Sequence, residues 1–81
     1  MIRKVIDYIK EDNFELRVNN EYISIINYIN IAFMEEDKIS VSYKDGNVFI
    51  SGKELVVVKM LDKEMLIKGN FQKIEFRRRN E

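Results

Sequence analysis

Apolar residues recur along this chain at two spacings, and the spacing changes once. Ile2, Val5, Ile6 and Ile9 fall at i, i+3, i+4 and i+7, which predicts a short amphipathic helix over residues 1–11, packed on a sheet face or on a partner. From Phe14 onward the period is two. Phe14, Leu16 and Val18 alternate with Glu15 and Arg17 as a half-buried strand, and Asn19-Asn20 supplies a turn. Tyr22 to Met34 is too long for one ordinary strand, and its alternation resets near Asn27, so two strands or one bent strand are expected with the bend at Asn27-Tyr28. Glu35-Glu36-Asp37 reads as a solvated turn.

Lys38 to Phe76 continues the pattern. Ile39, Val41 and Tyr43 share one face, and Ser40, Ser42 and Lys44 the other. Asp45-Gly46 is the strongest hairpin signal in the chain. Val48 and Ile50 lie on the return strand, which Gly52 ends or kinks. Leu55 to Leu61 is apolar on both parities apart from Lys59, which predicts a central strand covered on both faces. Asp62-Lys63-Glu64 is a turn, Met65 to Lys68 a strand, Gly69-Asn70 a bend, and Ile74 and Phe76 mark the last strand. The connections are too short for parallel crossovers, so the sheet is antiparallel with a meander as default order. The predicted fold is mainly β: one small antiparallel rolled sheet or barrel-like meander of about six or seven short strands with a short N-terminal helix. The 81 residues make one domain, with a helical segment over 1–11, a β core over 14–76 and a polar tail over 77–81.

Composition removes several functions. The chain has no cysteine, hence no disulfide and no thiolate metal site, and no histidine, the commonest general base near neutral pH. The formal net charge is zero, which gives no long-range attraction to nucleic acid or membrane and little repulsion between copies. No apolar run is long enough to cross a bilayer, and the acids Asp7, Glu11 and Asp12 do not suit a secretion signal. A cytoplasmic protein is expected, with membrane contact only peripheral.

The central stretch holds Ile-x-Gly twice, at Ile50-Ser51-Gly52 and Ile67-Lys68-Gly69, seventeen residues apart. Gly46, Gly52 and Gly69 are expected as turn or kink positions, where a Cβ would clash or the backbone angle would be costly. Two such units are fewer than a solenoid needs, and two similar hairpins in one sheet is the plain reading. Ile39-Ser40-Val41, Asp45-Gly46, Ile50-Ser51-Gly52, Leu55-Val56-Val57, Ile67-Lys68-Gly69 and Ile74-Glu75-Phe76, in this order, resemble the YabP/YqfC family of bacterial sporulation proteins. Tyr22 to Tyr28 looks like the family's strand ending in Asn plus a bulky residue. The resemblance spans roughly residues 14–76 and leaves the helical segment outside. It implies a small β-rich protein of the sporulating mother cell, with a role in coat or cortex assembly. It carries over no catalytic residue.

The residues themselves do not suggest an enzyme. Glu35, Glu36 and Asp37 lack the interrupted acid-and-glycine spacing of a hard-metal loop, and no base stands near Ser24, Ser40, Ser42 or Ser51. No catalytic, metal or cofactor-binding residue is assigned, and no small-molecule substrate is expected. Arg77, Arg78 and Arg79 form the only run of positive charge and are the speculative interaction residues. Two functions follow. The first is a non-enzymatic structural or adaptor module in endospore envelope assembly, with a protein partner or a second copy. The alternative is a small β-barrel that binds nucleic acid through these arginines and through Tyr22, Tyr28, Tyr43 and Phe49. A closed barrel would favour the alternative, and an open sheet with a bare apolar edge the first.

Overall fold

The computed structural model describes residues 13–79, so the expected N-terminal helix lies outside the described residues. Six strands follow one another: β1 Glu15–Val18, β2 Tyr22–Ile26, β3 Asn30–Met34, β4 Lys38–Tyr43, β5 Gly46–Leu61 and β6 Glu64–Arg78. They form one open antiparallel sheet in the order β1-β2-β6-β5-β4-β3. The fold class matches the expected mainly-β antiparallel sheet. Consecutive strands pair as in a meander except that β2 pairs with β6 and not with β3. The break between β2 and β3 falls at the predicted bend: Asn27 adopts φ 66°, which asparagine tolerates better than most residues. Its side-chain Nδ2 donates to the Asn13 carbonyl at 2.7 Å.

β5 and β6 are three times the length of β1–β3 because Gly52 and Gly69 bend the strands and do not end them. The two strands make one long hairpin with two arms. In the proximal arm, Gly46–Ser51 pairs with Lys73–Arg78 on one side and with β4 on the other. In the distal arm, Glu64–Lys68 pairs with Val56–Leu61 on one side and with β2 on the other. Register shifts at Ser51/Gly52, Lys53/Val56 and Val57/Lys59 mark bulges, which turn the sheet between and within the arms. Glu54 stands at one of them with φ 55°.

The core lies between the arms. Ile23, Ile25, Met65 and Ile67 come from the distal arm and Ile39, Val41, Tyr43, Val48 and Ile50 from the proximal one, all in one cluster. Each isoleucine of the Ile-x-Gly pair is fully buried: Ile50 stands opposite Ile39 and Ile74, and Ile67 opposite Ile23 and Val57. The repeat therefore marks the two strands of one hairpin, each contributing a core residue just before its own bend. Phe14 stacks on Tyr43 with ring centroids 4.1 Å apart and joins the two arms at one end.

The strand covered on both faces is β4 and not the expected stretch from Leu55 to Leu61. Ile39, Ser40 and Val41 are all buried. The alternation of β4 is one-sided, yet Phe33 and Phe49 stand opposite Ser40 from the two neighbouring strands and cover its small side chain. The last strand also runs further than expected. Arg77 and Arg78 pair with Asn47 and Gly46, and the Arg79 amide donates to the Asp45 carbonyl at 2.7 Å. These residues are therefore strand and strand end, not the first residues of a tail.

Candidate interaction surface

The three arginines do not form a common patch. Successive strand residues point to opposite faces, so Arg77 and Arg78 diverge. The Arg77 guanidinium lies 4.6 Å above the Phe49 ring, and its Nε donates to Glu75 Oε2 at 3.0 Å. Lys73 Nζ is 3.7 Å from the other Glu75 oxygen. The hydrogen bond from Arg77, and then its charge, hold the Glu75 carboxyl below the usual glutamate value of 4.5. Of the aromatic residues considered for base stacking, Tyr28 and Tyr43 are buried in the core, Tyr22 is half-buried on the outer face of the distal arm, and Phe49 sits under Arg77.

Beneath Phe33 and Phe49, whose centroids are 6.3 Å apart, the Ser40 hydroxyl is buried and has no hydrogen-bond partner among the described residues. Such a group loses its water without replacement. Ser40→Ala is expected to leave stability unchanged or raise it by up to about 1 kcal/mol. Thermal unfolding of the two proteins checks this, and a lower melting point for the variant would show that the hydroxyl has a partner.

Glu35, Glu36 and Asp37 have a backbone role that the sequence did not signal. The Glu35 amide donates to the Lys38 carbonyl at 2.8 Å, which closes the turn. The Glu36 carbonyl accepts from the Leu55 amide at 2.8 Å and the Asp37 carbonyl from the Gly52 amide at 3.0 Å. The turn thus holds β5 where it bends. Among the described residues no three acidic, histidine or cysteine side chains gather into a metal-binding group. A depression of about 720 Å³ lies on the outer face of the distal arm between Arg17, Ile26, Lys59, Leu61, Glu64 and Leu66. It is open and mixed in character.

What stands out is the far end of β5. The ladder with β4 stops at Ser51, the acidic turn reaches β5 as far as Leu55, and among the described residues the outer edge of Val56–Leu61 has no strand partner. Val56, Val58, Met60 and Leu61 are 54%, 48%, 46% and 51% exposed, so the expected burial on both faces is overturned. The physical reason is length: β4 begins at Lys38, which pairs with Ser51, and nothing else among the described residues reaches the distal arm on that side. An apolar strand edge with one charge, Lys59, and no proline carries almost none of the usual protection against edge pairing.

The family model of the YabP family matches residues 10–81. The chain belongs to the YabP family. Family membership marks it as a sporulation-related protein. The match covers all six strands and leaves the first nine residues outside, in line with a resemblance carried by the β core. No curated protein and no solved structure matches the chain.

Proposed function

We propose that this YabP-family chain is a non-enzymatic adaptor or structural module of endospore envelope assembly, in coat or cortex, working in the mother-cell cytoplasm through contact with protein. The observation that carries this reading is the bare apolar edge of Val56–Leu61. A sheet edge presents a row of backbone donors and acceptors, and an added strand uses them for affinity while alternate side chains give specificity. Family membership supplies the link to sporulation, and the edge supplies a way of working that needs no cofactor and no catalytic group. Expression is expected to be confined to sporulating cells. A clean deletion should give spores with weakened resistance to heat or lysozyme. Normal resistant spores from such a strain, with no paralogue present, would overturn the proposal.

One observation favours the nucleic-acid reading, namely Arg77 stacked on Phe49 with Phe33 beside it. Glu75 lies between Lys73 and Arg77 and offsets their charge, which weakens any phosphate track there. Under this reading, replacing Arg77, Arg78 and Arg79 with alanine would weaken binding to single-stranded RNA or DNA and flatten its salt dependence. Absence of binding by the unaltered protein at low salt would remove it.

A further inference from the structure

We propose that the distal edge of β5 pairs antiparallel with the same edge of a second copy, giving a two-fold dimer with a sheet continuous across the interface. The inference rests on the reading that this chain works through protein contact, and it names both the strand and the occupant. Three features of the strand fit a copy of itself.

The first is the match of faces. Val57 and Met60 stand opposite Ile67 and Met65, on the core side of the distal arm, whereas Val56 and Leu61 stand opposite Lys68 and Glu64, on its outer side. The register shift between Val57 and Lys59 leaves Val58 as the extra residue that moves the parity by one. A symmetric antiparallel register that sets Val57 against Met60 of the second copy also sets Val56 against its Leu61. Core-side residues then meet core-side residues, and outer residues meet outer residues. Without the bulge, the same register would put inward side chains opposite outward ones.

The second feature is charge. Counting outward in this register, Glu54 and Lys53 come to the same end of the ladder as Lys63 and Glu64 of the second copy. The ladder itself ends at Val56 and Leu61, where the acidic turn takes over the edge, and Lys63 of the second copy comes beside Glu54 at both ends, because the two-fold axis repeats the arrangement. Lys59 stays on the outer face, opposite Leu66, where water reaches it. The third feature is the lack of opposition: a chain of zero net charge has little long-range repulsion between copies.

The test is sedimentation of the full chain, by equilibrium analytical ultracentrifugation over a wide concentration range. The expected result is a concentration-dependent monomer–dimer equilibrium. Replacing Val56 and Val58, both about half exposed, with lysine should shift it to monomer while circular dichroism keeps its β signature. A charge reversal supplies a second reading that does not depend on the apolar edge. Glu54→Lys alone should weaken the dimer, and Glu54→Lys with Lys63→Glu should restore it. A monomer at every concentration overturns the inference, whether residues 1–12 or another protein then covers the edge. A dimer indifferent to both sets of variants overturns it as well. Neither failure touches the sporulation phenotype, which tests the broader proposal separately.

Discussion

Gly52→Ala is expected to destabilise the domain by about 3 kcal/mol, more than half of the stability of a chain this small. Gly52 is buried in β5, opposite Phe71, where the register shifts and the hairpin bends. A Cβ at this position would fall onto the Asn70 carbonyl oxygen and lie 3.1 Å from the Phe71 Cα, both on the backbone of β6. Backbone cannot turn away as a flexible side chain can. Relief would require β5 and β6 to separate, with loss of the ladder at the level where the two arms join. The Gly52 amide also donates to the Asp37 carbonyl, so the same shift would loosen the hold of the acidic turn on β5. The requirement here is close approach, since the φ of Gly52 lies outside the left-handed region. Urea unfolding checks the prediction. A midpoint within a few tenths molar of the unaltered protein would show that the strands can move apart cheaply.

The second large effect is expected at Ile67. It is fully buried, with Ile23 on one side and Val57 on the other, at the centre of the distal arm. Ile67→Ala removes three carbons from a core that both arms share and leaves a cavity, which costs about 4 kcal/mol when the surroundings relax only in part. The domain stability to be set against this is roughly 5 kcal/mol. The variant is therefore expected to keep only about 1 kcal/mol of stability, with a sizeable unfolded population and poorly dispersed amide signals beside the native ones in its proton–nitrogen spectrum. Ile50→Ala should behave alike, because Ile50 holds the equivalent place in the proximal arm. A well-dispersed spectrum for Ile67→Ala would mean that the arms repack around the gap.

Much of the fold was legible in the sequence, and the departures have identifiable causes. Period-two alternation placed β1, β2 and β4, Asn27 placed the break before β3, and Asp45-Gly46 placed the β4–β5 turn. The two Ile-x-Gly phrases at Ile50 and Ile67 marked the level at which the sheet bends, but did not show that both lie on one hairpin. A glycine after a strand can end it or bend it, and only the pairing on both sides decides which. The run from Leu55 to Leu61 misled for a related reason. An apolar pattern on both parities records what the strand would bury against, not whether a neighbour in the same chain is long enough to reach it. Ser40 shows the converse: a polar position in an alternating strand became buried because rings on two neighbouring strands lean over it. The arginine triplet was visible as a charge run, yet strand geometry sends its first two members to opposite faces, which no count of charges reveals.

Among the described residues the distal part of β5 presents an apolar edge without a strand partner, and it lies in the β core that the family model matches. Contact with protein along the Val56–Leu61 edge is the proposed way in which this YabP-family chain works. Its most direct test is complementation of a sporulating deletion strain with either the unaltered chain or the folded variant carrying lysine at positions 56 and 58. The unaltered chain is expected to restore spore resistance, and the variant, made at the same level, is expected not to. Full restoration by the variant would contradict it.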